Sequence, residues 1–509
     1  MSATAGQVAC LLGFVYIGFL YVYAQVIKNT TACCDKRKAH DGDVESSSMS
    51  KPAPALTFET LVNCLQFKHA SVLEAKELLR DMLEFGLLLS WFFVADRTDF
   101  FKSGKKDYSR DFLLFFMAML TLVFAWKSWS VSKTKAPLHR DQTEEWKGWM
   151  QVLFLLYHYF EAKELYNAIR IFIAAYVWMT GFGNFSYYYI RQDFTLGRFM
   201  HMMWRLNFLV LFCCVILDNS YVLYYICPMH TIFTLFIYGA LGIYSSINQT
   251  NAGVAIKFTG CLLLVMVVWE IPAVFKAIFG PFEFLLGYVD PRKPDSDPMH
   301  EWFFRSGLDR YVWIWGMMCA YMHPRYEKLM TALDDMNQAK AGIIRVAATG
   351  VLVALGAYWY QEVYMLPKLE YNAMHPFTSW IPLTIYILLR NMHPWMRFQF
   401  IEKYGWLGKI TLETYIAQFH IWLSTNSVPN AQPAFLLVII EDYPYMNFLV
   451  VSAIYIFVSY RLFTMTNNMK NALLPLNDNK GLYKNMGLLF GVGTVFYGMA
   501  IIANLTTRV

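Results

Sequence analysis

The residues able to do chemistry in this chain are few, and most of them interrupt apolar runs. In EEWKGWMQVLFLLYHYFEAKELYNAIR, residues 144–170, Lys147 and His158 stand eleven positions apart. Eleven residues at 100° each return to within about 20° of the same helical face, roughly 16 Å further along the axis. A continuous helix therefore sets Lys147 at a membrane rim and His158 near mid-bilayer on one stripe, with Gln151, Phe154 and Glu161 along it. A rim cation can hold a phosphate. A buried imidazole can take a proton from a hydroxyl or carry an acyl group itself, so the pair suits acyl transfer from a coenzyme A thioester. The competing account is a histidine that only packs against a neighbouring helix.

In KITLETYIAQFHIWLS, residues 409–424, Glu413 and His420 are seven apart on one face, with Ser424 one turn further on. A carboxylate near an imidazole can fix its tautomer and raise its basicity; an interhelical hydrogen-bonded pair explains the spacing as well. Arg198, His201 and Arg205 fall at i, i+3 and i+7. They suit a clamp for phosphate oxygens or a snorkelling interfacial helix. Within residues 290–315, Asp297 followed by Pro298 reads as a helix start, and Glu301, Arg305 and Asp309 as an ion-pair ladder with Arg310 beside it. Arg305 and Arg310 join Lys147, Arg198 and Arg205 as candidate contacts to the donor, although a ladder serving only the fold competes with that reading. His230 is a candidate for a pocket, and His375 and His393 precede prolines and mark helix ends. His40, His69 and His139 read as exposed. No converging set of metal ligands appears, and no phosphate-binding glycine loop, dinucleotide fingerprint or GxSxG elbow, so no metal is assigned.

Membrane helices must position these residues. Of 509 residues, 57% are hydrophobic and only 16% charged, with a mean hydropathy of +0.34. Soluble domains carry about 25% charged residues, so ordinary soluble folds and a disordered chain are excluded. The apolar residues come in long runs rather than in alternation, which argues against a porin-like barrel. The net charge of +6 is scattered over loops and offers no nucleic-acid surface. The nine cysteines form no CxxC pair or evenly spaced framework. Spans near 20 residues recur from 7–27 to 484–503, which predicts an all-α polytopic membrane protein with about eleven to fourteen transmembrane helices and no soluble catalytic domain. Residues 1–27 read as an uncleaved anchor helix, 28–84 as a polar cytosolic loop, and 85–509 as one multi-span domain. Lys28, Lys36, Arg37 and Lys38 follow the first run and place the N-terminus in the lumen. Lys102, Lys105, Lys106 and Arg110 oppose the topology that follows from it.

The blocks EEWKGWMQ–YHY, TGFGNFSYYY, MMWRLNF, YYICPMHT, EWFFRSGLDRY and TLETYIAQFHIWL together resemble the Cas-one-type ten-transmembrane acyltransferase family, from about residue 85 onward. Its members include a fungal capsule O-acetylation protein, the animal sialic acid O-acetyltransferase and the plant reduced wall acetylation proteins. The animal and fungal members carry a luminal hydrolase-like domain before the membrane part; one anchor and a short polar loop match the plant proteins instead. The resemblance implies a multi-pass Golgi protein required for O-acetylation of xylan, xyloglucan, mannan and pectin, with acetyl-CoA as donor. Its implied partners are polysaccharide acceptors or luminal polysaccharide acetyltransferases, besides the lipid bilayer. Bacterial membrane acyltransferases of the O-antigen-modifying type share an Arg or Lys, ten residues, then a catalytic His, and Lys147 and His158 are similar to that pattern. Three functions compete: a transferase routing acetyl through His158, a transporter of acetyl-CoA or an acetyl carrier, and a noncatalytic scaffold.

Overall fold

A computed structural model describes residues 3–38 and 55–506; residues 39–54, His40 among them, lie outside the described residues. Among the described residues, eight helices, from Ala5–Thr30 to Asn479–Thr506, are long and apolar enough to cross a membrane. The shorter apolar helix Ile226–Gly242 and the more charged helices Lys76–Arg97, Arg140–Phe160 and Val312–Asp334 span 17, 22, 21 and 23 residues. A bilayer core takes about 17–25 residues per helix, so these four are also long enough to cross. The chain is an all-α polytopic membrane protein. Among the described residues, short strands lie in the connections between helices: Lys102–Gly104, Phe435–Val438 and Leu423–Ser424 form one antiparallel sheet, and Trp129–Val131 pairs with Gln399–Ile401 in another.

Contacts between distant segments define two ends of the bundle. At one, Gln7 donates to the Ile216 carbonyl at 2.9 Å, Arg97 to the Leu217 carbonyl at 3.0 Å, and Asn504 to the Ala3 carbonyl. At the other, Lys76 donates to Gln25 at 2.9 Å, His201 bonds the Leu474 carbonyl, and the Lys403 N–H reaches Ser128. By the direction of the helices, Lys76, Arg80, Lys127, Lys133, Lys135, Arg140, Arg191, Arg198, Arg325, Lys328, Lys340, Lys403, Lys409, Lys470, Lys480 and Lys484 belong to this second end, against Lys102, Lys105, Lys106, Arg110, Lys163, Lys276, Arg292, Lys293, Arg305, Arg310 and Lys368 at the other. We term it the basic end and its opposite the far end.

The first helix runs Ala5–Lys38 and belongs to the bundle, with Gly13 against Phe496 and Gly18 against Leu83. The described residues of the segment 28–84 are mostly helical rather than a loop. Residues 28–38 continue the first helix, and 55–84 hold helices Phe58–Leu65 and His69–Glu74 and the start of Lys76–Arg97, so a boundary at 85 falls inside a helix. Leu61, Cys64, Val72, Leu78 and Leu79 are buried there. This is an amphipathic pattern whose charged outer face lowers the mean hydropathy and disguises the helices.

Two helix pairs approach closely through reciprocal glycines. A Cβ on Gly148 would overlap the Tyr404 carbonyl, and one on Gly408 the Glu144 carbonyl; Gly181 and Gly316 stand likewise against Trp313 and Trp178. Small residues let membrane helices pack backbone to backbone. The first pair fixes helix Arg140–Phe160 against helix Glu402–Lys409.

Candidate active site

Helix Arg140–Phe160 carries both Lys147 and His158. It begins where the His139 side chain accepts the Gln142 N–H at 3.3 Å while its other nitrogen donates to the Arg397 carbonyl at 2.9 Å. His139 is thus a buried cap and not an exposed residue. The helix ends at Phe160 because Glu161 turns to a left-handed conformation, φ 55°. A short turn, Lys163–Leu165, leads into helix Tyr166–Arg191. Residues 144–170 therefore form two helices, and His158 lies in the last turn of the first, near the far end rather than at mid-bilayer.

Lys147 lines a cavity of about 890 Å³ at the basic end. Five basic residues contribute to its wall, Arg140, Lys147, Arg198, Arg205 and Lys409, against the single carboxylate of Glu144. Lys147 pairs with Glu144 at 2.7 Å, and the Arg198 guanidinium lies 4.3 Å from the centre of the Tyr187 ring. Polar groups continue inward. Tyr176 donates to the Lys147 carbonyl at 2.7 Å and to Gln151 at 3.2 Å, Gln151 donates to Thr414 at 3.0 Å, and His230 bonds Thr180 at 2.7 Å. Arginine forks and lysine ammonium groups in such number favour a polyanion.

His158 lines a separate cavity of about 270 Å³ at the far end, with Lys106, Tyr157, Glu161, Lys163, Tyr166 and Lys368. Its ring sits edge-on to Phe154 and Tyr157, with centroids 4.7 and 5.0 Å away. Among the described residues no group hydrogen-bonds that ring, so its nitrogens face the cavity. Lys106 and Arg305 are near enough for their charges to act on it. The Lys106 ammonium donates to the Pro433 carbonyl at 3.1 Å, and burial pushes it down to about 8. An imidazole with an unoccupied lone pair beside cations can act as a nucleophile or base whose products carry negative charge.

The pairing of Glu413 with His420 does not form. Glu413, 1% exposed, takes a two-pronged ion pair from Arg205 on helix Leu196–Leu217, its Oε2 lying 2.9 Å from Nη2. His420 is fully buried, and both its nitrogens are bound, Nδ1 to Asp96 at 2.8 Å and Nε2 to the Tyr224 hydroxyl at 2.6 Å. Asp96 also accepts from Arg97 and from the backbone and hydroxyl of Thr425. Ring and carboxylate saturate one another, which makes His420 a structural tie between helices.

The five cations chosen from sequence also separate. Lys147, Arg198 and Arg205 share the large cavity, but Arg305 and Arg310 lie away from its wall. Arg305 bonds Glu301 at 3.1 Å and covers the Tyr225 ring at 4.6 Å on the His158 side. Arg310 bonds Glu270 at 2.7 Å. The ladder stops after its first rung, because Asp309 is claimed by Arg170 at 2.8 Å and by His375 at 3.3 Å. Asp96, Lys409 and Lys106 were not singled out by spacing. The one local signal was charge at the end of an apolar run, as in VADRTD. Among the described residues no group of three or more His, Cys, Asp or Glu side chains is placed to hold a metal ion.

Comparisons with known proteins bear on this geometry. A protein of Danio rerio named N-acetylneuraminate (7)9-O-acetyltransferase is 28% identical over 417 residues, covering 79% of this chain and 51% of the relative. The chain thus spans about half the length of that relative. No solved structure matches. The description "10 TM Acyl Transferase domain found in Cas1p" matches residues 2–486, which takes in the first helix and the segment after it. A match of that extent places the chain in the ten-transmembrane acyltransferase family of Cas1p.

Proposed function

We propose that the protein is a membrane O-acetyltransferase that draws acetyl groups from acetyl-CoA at the basic end and delivers them, through His158, to acceptor hydroxyls at the far end. The observation that carries this reading is a single helical stripe running from a cation-rich cavity at Lys147 to a histidine whose ring nitrogens are free. The basic end faces the cytosol by the positive-inside rule, where the donor is available. Lys147, Arg198, Arg205, Arg140 and Lys409 suit the diphosphate and 3′-phosphate of coenzyme A.

A neutral His158 attacks the thioester carbonyl, the C–S bond breaks, and coenzyme A leaves as thiolate. An acceptor hydroxyl then attacks the acetyl-imidazole; its proton passes by way of the ring to the thiolate, leaving an acetyl ester and a free thiol. In the one-step variant the ring removes the hydroxyl proton while the oxygen attacks the thioester directly. The setting that the resemblance to plant proteins supports is the Golgi membrane. There the acceptors are cell-wall polysaccharides such as xylan, xyloglucan, mannan and pectin, reached directly or by luminal polysaccharide acetyltransferases. Cavities at both ends also suit a carrier of intact acetyl-CoA, which is the second reading.

Purified protein in sealed vesicles, supplied with acetyl-CoA labelled on both the acetyl group and the coenzyme, separates the two. Transfer predicts that only the acetyl label crosses and that free thiol stays on the donor side. Both labels crossing together would overturn the transferase reading in favour of the carrier.

A further inference from the structure

The large and small cavities have no lining residue in common. Along the stripe, Lys147 and Gln151 face the large cavity and His158 faces the small one. Phe154 stands between them, 2% exposed, and lines neither. Its ring lies edge-on to His158 with centroids 4.7 Å apart, and 6.0 Å from the ring of Tyr415. Tyr415 lines the large cavity and lies 6.4 Å from Tyr225, which in turn sits beneath Arg305. Gln151 and His158 are seven residues apart, about 10 Å of helix rise. An acyl group held in the large cavity is therefore separated from the imidazole by the Phe154 ring and about two turns of helix.

We infer that Phe154, backed by Tyr415, is the plug between the donor cavity and His158, and that its ring determines the size of acyl group that can be handed across. This rests on the donor reading of the large cavity. Three features argue for it. The phenyl ring covers the imidazole from the side on which the thioester arrives. Phe154 is 2% exposed and its ring neighbours Tyr415, which borders the large cavity, so open volume lies on that side of the ring. A two-carbon acyl group needs little of that volume, whereas each added methylene must displace the ring further. One methylene misfitted in an apolar site changes discrimination by roughly 10–200-fold.

Two measurements on the full chain test the plug. In the first, acyl transfer from acetyl-, propionyl- and butyryl-CoA is compared for the unaltered protein, Phe154→Ala and Phe154→Leu. The unaltered protein should favour acetyl over butyryl by more than about 100-fold, and Phe154→Ala should shrink that ratio at least about tenfold, with Phe154→Leu between. Equal use of acetyl and butyryl by the unaltered protein, or the same ratio in all three, would overturn the inference. In the second, His158→Cys is labelled in sealed vesicles with a charged, membrane-impermeant thiol reagent from either side, against the same chain lacking that cysteine. With Phe154 present, labelling should come only from the far end, which also reports that the variant is folded; with Phe154→Ala or Phe154→Leu it should come from both. Labelling from the basic end while Phe154 is intact would refute the plug. Absence of acyl transfer from any donor would instead overturn the donor reading, and the accessibility result would still stand on its own.

Discussion

His158 and His420 both interrupt apolar helices beside aromatic rings, His420 fully buried and His158 half-buried, yet the structure uses them in opposite ways. His420 spends both ring nitrogens on Asp96 and Tyr224, inside a network that also takes in Arg97, Thr425 and Asn219. His158 touches Phe154 and Tyr157 through its ring edges and leaves its nitrogens to a cavity. Burial alone therefore does not mark a catalytic histidine. What separates the two is whether the polar atoms are already satisfied, because a saturated imidazole has no lone pair or proton to offer.

The comparison sharpens first at the saturated histidine. Asp96→Ala would leave the buried Arg97 cation without its counter-ion and His420 Nδ1 without its partner, which should cost about 3–5 kcal/mol of stability. Thermal or denaturant unfolding checks this, and activity per folded molecule should fall far less than the folded fraction. A variant that keeps full stability yet loses turnover would instead move His420 into the chemistry. A smaller effect is expected at the cationic cavity. Lys147→Ala and Lys409→Ala should each raise KM for acetyl-CoA about tenfold and change kcat little, since a charge-assisted hydrogen bond contributes about 1.5–3 kcal/mol. Steady-state kinetics decide it, and an unchanged KM in both would remove the donor from that cavity. Arg310→Ala, which breaks only a partly exposed pair with Glu270, should alter KM less than twofold. A pH dependence is expected at Lys106. Its ammonium titrates near 8 in the folded chain against an ordinary 10.5. Between those values the unfolded chain binds more protons, so stability should rise with pH there. Lys106→Met should lack that rise in thermal scans at about pH 7.5 and 9.5.

Much of the architecture is legible in the chain. Apolar runs of span length identify the helices, and eleven-residue spacing sets Lys147 and His158 on one face of the continuous helix Arg140–Phe160. That same spacing could not reveal that Glu161 would end the helix at φ 55° and leave His158 near the far end. Seven-residue spacing sets Glu413 and His420 on one face too, but the partners they find belong to other helices. Arg205 lies 208 residues from Glu413, and Asp96 lies 324 from His420. Such pairings follow from how helices pack, which a local period does not encode. The helices within 28–84 were hidden for a different reason. Charged residues on their outer face lower the mean hydropathy, while their buried face, with Leu61, Leu78 and Leu79, is as apolar as any span.

The most direct test is the rate of acetyl transfer from acetyl-CoA by the full-length His158→Ala protein, with its folded fraction measured in the same preparation. A loss of about 100-fold or more at unchanged thermal stability is the result expected of a nucleophile or base. A rate equal to that of the unaltered protein would contradict the assignment of His158 to the chemistry.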